Sequence, residues 1–496
     1  MSTKRRKSIL TAYSRILSMI VSIISQFVLT PIILSILGST LYGIYTLLNK
    51  TNNYLSIVDL RPTAVLRLKL AHDQENENIQ EKKKYIGASL FISLVFTPVF
   101  LLGGFFLAYW FPYWFHVDAH YVTESRIAIV LLSLFLALNG FMGIPEAILR
   151  GNNLEYKGFF VEPIRLILVA VLTILFLYIG WGLLSVVIAM FIAALFSFVS
   201  RAILRVKYLR DYSICKPQRR HIKEFFSSGS WYLVSSFVTQ VINNFDVILI
   251  GVLIGPKEVA VFAVTKAIVF RLIESLQTII SSSTSSVGAI VGNSRHDDVF
   301  QLRVFFYRMI IPLSLCITSY FVLFNGSFIN LWTGSDVFAG EDVNFVICLS
   351  AFFLMLTSIE EIFILSSLDF KTKSLYLLIS AIVSVIISLI LTNSFGLLGN
   401  AIGIFSGRIL LFFLYYLYNN KKIGYLFNVD VLFVFKVFIF FILVVLFKTL
   451  LLEQDYLNLS NFVLYSAIFV LFFGLFTFFF LLDDSGRKTL CNLIVK

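Results

Sequence analysis

The sequence predicts an all-α polytopic membrane protein of about fourteen transmembrane helices, arranged as two six-helix pseudo-symmetric lobes followed by two C-terminal helices. Three observations carry this expectation. The chain of 496 residues is 58% hydrophobic and only 14% charged, with a mean hydropathy of +0.90, whereas soluble proteins are close to half apolar and a quarter charged. Its apolar residues fall into successive runs of about 20, the length that crosses a hydrocarbon core. The first half of the chain also matches the second without a gap at a shift of 217 residues.

Hydropathy and charge breaks place the spans near 9–36, 41–70, 85–110, 123–148, 159–180, 181–204, 225–254, 258–288, 304–326, 343–366, 375–394, 397–419, 431–452 and 461–482. The N-terminal Lys4-Arg5-Arg6-Lys7 before an apolar run looks like a signal peptide. The run is too long, carries Arg15 and lacks a small-x-small cleavage site, so it reads as an uncleaved first helix. The second span is the most polar, with Lys50, Asp59, Arg61, Arg67 and Lys69.

Loop charge predicts orientation. One alternate set of loops holds about 27 of the 40 Lys and Arg, the opposite set holds Lys257, and about 12 lie within spans. The second set carries acids instead, such as Asp118, Asp336, Glu341, Asp342, Glu453 and Asp455. Because Lys and Arg collect on the cytoplasmic side, both termini are expected in the cytoplasm. The net charge of +12 therefore reflects topology rather than nucleic-acid binding. The expected divisions are a first lobe over 1–204, a basic cytoplasmic linker over 205–224, a second lobe over 225–424, and two further helices with a tail over 425–496.

The internal match aligns features as well as lengths. Gly38 falls on Gly255 at the turn after the first helix of each half, and Gly182 falls on Gly399 at the start of each sixth helix. Ser18, Ser22 and Gln26 fall on Ser235, Thr239 and Asn243, each set a polar stripe advancing by four along one helical face. Six helices separate the copies, so they share one membrane orientation. A parallel duplication of this kind points to a transporter whose cavity opens alternately to each side.

Certain segments resemble a polysaccharide flippase family of the multidrug/oligosaccharidyl-lipid/polysaccharide exporter superfamily. They are Gly38-x3-Tyr42-Gly43-x-Tyr45 followed by Val58-Asp59-Leu60; Asn243-Asn244-Phe245-Asp246 through Gly251, then Gly255 and Val261-Phe262-Ala263-Val264; and Leu149-Arg150-Gly151-Asn152. The resemblance implies outward movement of undecaprenyl-pyrophosphate-linked oligosaccharide for capsule, O-antigen, teichoic acid or related polymers. It implies no enzymatic activity, and a pathway polymerase and glycosyltransferases as partners alongside membrane lipids. In a fourteen-helix relative that flips lipid II, the two extra helices line a groove for the lipid tail, which suggests the same role for the last two helices here. Where the family has Gly after Asp-Leu, this chain has Arg61-Pro62, so the second helix is expected to bend there.

Ionisable groups at bilayer depth cost about 2.5–3.5 kcal/mol each, so they face a cavity or a partner. Lys50, Lys266, Arg271 and Arg408 fall near mid-depth, with Arg15 and Arg61 nearer the cytoplasm. These six are the candidates for binding a pyrophosphate head group, since Lys and Arg replace its hydration. Lys50 and Arg61 would share a face of a straight helix, and Lys50 aligns with Ala267, next to Lys266. Arg271 and Glu274, spaced i and i+3, are also placed to neutralise one another. Asp246, Glu274 and Asp59 are the candidates to couple H⁺ or Na⁺, with ion pairing the competing role for Asp246.

Other chemistries find little support. No cofactor or metal is expected: His116-x-Asp118-x-His120 sits in an outer loop with Trp110 and Trp114, the composition of an interfacial anchor. The four cysteines lack metal-ligand spacing, and without a phosphate-binding P-loop ATP does not drive transport within this chain. An exporter of cationic drugs from the same superfamily is the alternative. The surplus of basic over acidic residues within spans favours an anionic cargo.

Overall fold

In hydrocarbon a backbone can satisfy its own polar groups only as a helix or a closed barrel, and among the described residues the regular elements are helices. The computed structural model describes residues 3–482 and 487, apart from 57–60, 73–78, 153, 211, 213, 283, 285–286, 289–290, 292–295, 368, 424–430 and 452–457. Among the described residues fourteen α-helices follow one another: α1 (Thr3–Leu55), α2 (Pro62–His72), α3 (Ile79–Trp114), α4 (Val122–Met142), α5 (Ile144–Gly151), α6 (Val161–Ile179), α7 (Leu184–Tyr208), α8 (Arg219–Leu253), α9 (Pro256–Ser282), α10 (His296–Thr333), α11 (Glu341–Ser366), α12 (Phe370–Ile423), α13 (Val431–Leu451) and α14 (Leu459–Phe476). Among the described residues nine helical stretches are long and apolar enough to cross a membrane. Two of them, in α1 and α12, are double-length rods bent at Gly38 and Gly396.

The helix breaks follow local chemistry. Gly38 and its repeat partner Gly255 both take positive φ, +78° and +141°, where a side chain would be strained. At the other aligned turn the halves differ. Gly180 and Gly182 have positive φ in the first half, but in the second the bend falls on Gly396 and Gly399 stays helical. Gly399 is needed for space instead, because a Cβ there would strike the backbone of Leu391. The second expected span is not one bent helix. α1 ends at Leu55, Arg61 stands at φ +45°, and α2 starts afresh at Pro62. Proline lacks the N–H a continuing helix requires and suits a first helical position. Lys50 and Arg61 therefore do not share a helical face.

The chain forms two compact units, Met1–Asn244 with Gly255–Val259, and Phe245–Ile254 with Ala260–Lys496. In the first, α3 packs on α4, α6 on α7, α1 on α6, and the short α2 on α3 and α5. Its core includes Leu66, Leu70, Ile86, Ala88, Ile92, Ile148 and Phe225. Lys69 donates a 2.7 Å hydrogen bond to Glu224, tying α2 to α8. That bond holds the Glu224 carboxyl below its usual range, against a smaller opposing effect of burial. At the far end of α3, Tyr109, Trp110, Tyr113 and Trp114 are exposed, with the two Trp rings stacked at 6.3 Å, as befits an aromatic interfacial belt.

In the second unit α11 packs on α10 and α12, and α10 also on α14. Phe324, Phe440, Phe469 and Phe473, all buried, build a core between α10, α13 and α14. Phe469 and Phe473 stack at 4.3 Å. The two arms of α12 meet along a seam of small residues: Gly403 faces Ser388, and Gly407 faces Ser380 and Ser384. Where no hydrophobic effect drives helices together, such residues allow the close backbone approach that gives dispersion contact. A Cβ on Gly403 would stand 2.6 Å from Ser388 Cα, and one on Gly407 2.6 Å from Ser384 Cβ. Gly403→Val should therefore force the arms of α12 apart and cost about 1–3 kcal/mol. Thermal unfolding of the purified protein reads this directly. The control is Gly474→Val in α14, where an added Cβ meets open space.

Candidate functional site

The turn at Gly255 joins α8 and α9, and it lies about ten residues from both Asp246 and Lys266. At 1.5 Å per residue that places the two side chains at one level, about 15 Å from the turn, or half the thickness of a hydrocarbon core. The side chains meet: Lys266 Nζ donates to Asp246 Oδ2 in an ion pair whose carboxylate is 3% exposed. One helical turn beyond Lys266 lies Phe270, and the Lys266 ammonium sits 4.8 Å from the centre of its ring.

Arg408, from the second arm of α12, approaches the same ring, with its guanidinium 5.0 Å from the centre. Two cations thus share one aromatic ring, whose negative face attracts positive charge. Asp246 and Glu274 lie within electrostatic range of Arg408. Among the described residues, however, no carboxylate comes within ion-pair distance of Arg408, and its buried Nε has no hydrogen-bond partner. Arg271 and Glu274 are 3.8 Å apart and both well exposed, so they largely balance one another. With Asp246 committed to Lys266, the cluster keeps a surplus positive charge centred on Arg408.

Of the residues singled out in the sequence, the fold gathers Asp246, Lys266, Arg271, Glu274 and Arg408 around α9. Lys50 lies half-buried on the second arm of α1, in the other unit. Arg61 is exposed and lines a different cavity. Asp59 lies outside the described residues, as does the side chain of Arg15. Ser18 lines a cavity with Glu146, Glu162 and Arg201, while the side chains of Ser235, Thr239 and Asn243 also lie outside the described residues. Around His116 the chain turns at φ +50°, and among the described residues no group of three or more His, Cys, Asp or Glu is placed to hold a metal.

Sequence reasoning missed a second charged centre. Arg303 and Glu360 are both fully buried and paired at 2.7 Å. Tyr307 donates to the same carboxylate, Asn419 donates to its other oxygen at 2.6 Å, and Arg303 donates to Asn420 at 2.8 Å. The span read from hydropathy begins near 304, which leaves Arg303 in the loop before it, whereas the structure buries it in α10. The readable signal was the Asn419-Asn420 pair at the end of an apolar helix, opposite Glu360. The neighbouring Glu361 turns another way and pairs with Lys373. The charges of the Arg303 centre satisfy one another, so it reads as a clamp joining α10, α11 and α12 rather than as a binding site.

The fold is shared with membrane transporters and flippases. An inward-facing multidrug resistance MATE family transporter of the MOP superfamily superposes with a TM-score of 0.69 at 15% identity, covering 84% of this chain and 99% of that one. The lipid II flippase MurJ in an inward closed conformation superposes with a TM-score of 0.67 at 14% identity, covering 94% and 97%. A eukaryotic MATE transporter gives 0.56 at 16% identity, covering 83% and 95%. No curated protein sequence matches the chain. The polysaccharide biosynthesis protein family matches residues 10–288, more than half of the chain, and the chain belongs to that family.

The Asp246–Lys266 pair is open to a direct test. Lys266→Ala strips a buried carboxylate of its cation and should cost about 3–5 kcal/mol. The Lys266→Ala/Asp246→Ala double variant should recover most of that loss. Unfolding midpoints of the four proteins in a double-mutant cycle measure the coupling, and a single variant as stable as the parent would show that the pair contributes nothing.

Proposed function

We propose that the protein is an alternating-access flippase that carries undecaprenyl-pyrophosphate-linked oligosaccharide from the inner to the outer leaflet for cell-surface polysaccharide assembly. The observation that carries this reading is the surplus positive charge at Phe270, built from Lys266 and Arg408 against Asp246, in a chain of the polysaccharide biosynthesis protein family. A pyrophosphate diester is an anion that must pass through a low-dielectric region. Arg408 offers it a planar donor set that no carboxylate among the described residues pairs with directly.

The ion pair gives the site a means of exchange. A phosphate oxygen arriving beside Arg408 competes with Asp246 for the Lys266 ammonium. Uptake of H⁺ or Na⁺ by Asp246 would free Lys266 for the head group, and loss of the ion would reclaim it and release the cargo. Asp246 is thus the coupling candidate, with Glu274 secondary. Both termini lie in the cytoplasm of a bacterial cell membrane in this reading. The polymerase and glycosyltransferases of the same pathway act on either side of the step.

Export of cationic drugs is the second reading, favoured by the likeness to MATE transporters. Two features weigh against it. The likeness to MurJ extends over 94% of the chain against 84% for the MATE transporter, and a cationic cargo is repelled by the surplus charge.

Arg408→Ala should block export of the polymer while membrane insertion stays normal, with lipid-linked precursor accumulating on the inner face. Arg408→Lys should restore part of the flux. Precursor accessible to a periplasmic or external probe at the parent level in Arg408→Ala cells would defeat the assignment. Drug efflux lost in place of polymer export would favour the second reading.

A further inference from the structure

From Ser281 to Ser286 the sequence is an unbroken run of six serines and threonines, inside a stretch whose hydropathy marks it as membrane-spanning. A hydroxyl at that depth costs free energy unless it meets its own helix, a partner or a polar cavity. In the second unit this end of α9 borders a cavity of about 290 Å³, close to the lower bound of small-ligand pockets, roughly 300–1,000 Å³. Gln277, Thr278 and Ser281 of α9 line it, with Thr284 just beyond the helix and Ser358 and Glu361 of α11. We propose that this cavity binds a saccharide, and that its ligand is one uncharged sugar unit of the glycan attached to the cargo's pyrophosphate.

The hydrogen-bonding capacity of the wall suits a polyhydroxyl ligand. Thr278 donates to the Glu274 carbonyl at 2.9 Å, Ser281 to Thr278 at 3.0 Å, Thr284 to Ser281 at 2.7 Å and Ser358 to Leu354 at 2.8 Å. A hydroxyl has one proton and two lone pairs. With the protons given to helix carbonyls, these oxygens are left as acceptors for the O–H groups of a sugar. Gln277 adds an amide that can both donate and accept. Glu361 is paired with Lys373 of α12, which cancels its charge. Among the described residues no Lys or Arg lines the cavity, so a phosphate finds no cation on the wall, and a cation finds a carboxylate already paired. Ile362 and Leu365 supply apolar surface for the C–H face of a pyranose ring. Ser366 donates to the Thr284 carbonyl at 3.2 Å and fixes α11 against this end of the α9 segment.

The position follows from the helix. Gln277 comes seven residues after Phe270, two turns of α9, so the two residues share a helical face about 10 Å apart. A pyrophosphate held at Phe270 by Arg408 would therefore carry its sugars along the face that leads to this cavity. Identity of the ligand with the cargo's glycan rests on the flippase reading, whereas saccharide binding itself does not.

The full-length protein in nanodiscs free of glycosidic detergent is probed by saturation-transfer NMR with glucose, galactose, rhamnose, N-acetylglucosamine and N-acetylgalactosamine. At least one of these is expected to bind the parent and Arg408→Ala alike. Gln277→Met and Thr278→Val keep the size of their side chains while removing polar atoms, and each should weaken that binding about ten-fold at an unchanged thermal midpoint. Thr278→Ser retains the oxygen and should bind as the parent does. Absence of saccharide binding to the parent, or binding that Gln277→Met and Thr278→Val both leave unchanged, overturns the proposal. Undecaprenyl pyrophosphate is titrated separately into the same discs. If it binds the parent and Arg408→Ala equally while saccharide binding responds as expected, the saccharide site is upheld and the head-group site at Arg408 is what fails.

Discussion

Placing charge in hydrocarbon is costly, and that one constraint organises this protein. An ionisable group within a span is stabilised by an opposite charge, by an aromatic face, or by reaching the polar end of its helix, and three cations among the described residues show how far the first two go. Arg303 takes the first course to its limit, fully buried with Glu360 and two asparagines. Lys266 combines the first and second, paired with Asp246 and seated over Phe270. Arg408 has the ring but no ion-pair partner among the described residues. The three cations differ in how many partners surround them: Arg303 has a full set, Lys266 a carboxylate and a ring, Arg408 the ring. All three are built from similar residues, separated by how completely each charge is compensated.

Much of the architecture could be read before any coordinates. Helix positions followed from apolar runs, and Gly38 and Gly255 were correctly placed at turns because each precedes a fresh apolar segment. The break before Pro62 was underestimated as a bend, since a proline inside a long helix often only kinks it, whereas here the chain changes conformation completely at Arg61. Gly182 and Gly399 both stand near the start of a sixth helix, as aligned, but one supplies a positive φ and the other room for a crossing backbone. A glycine in a sequence does not say which of these it provides.

The charged centres were harder to anticipate. The i and i+3 pairing of Arg271 with Glu274 is local and was readable from spacing alone. The meeting of Lys266 with Asp246 needed only the turn between them, so it too was within reach. Arg408 lies more than 130 residues from Phe270 along the chain, and nothing in either segment announces the other. Arg303 escapes a reading of the sequence for a related reason. Positive charge near a helix end is ordinarily a marker of the cytoplasmic surface, and only the approach of α11 and α12 turns it into a core residue.

The glycine and serine seam of α12 has a mechanical consequence. Long side chains can swing to new rotamers and let two helices slide past one another, but glycine has none to swing and serine hardly more. The arms of α12 are therefore joined as a single strut with little play. Arg408 rides on one arm at a height set by the other, and the Ser380–Ser388 face of that arm cannot yield without losing backbone contact. Whatever displacement accompanies a working cycle, the backbone that carries Arg408 travels with the whole strut, and only the side chain itself is left to adjust.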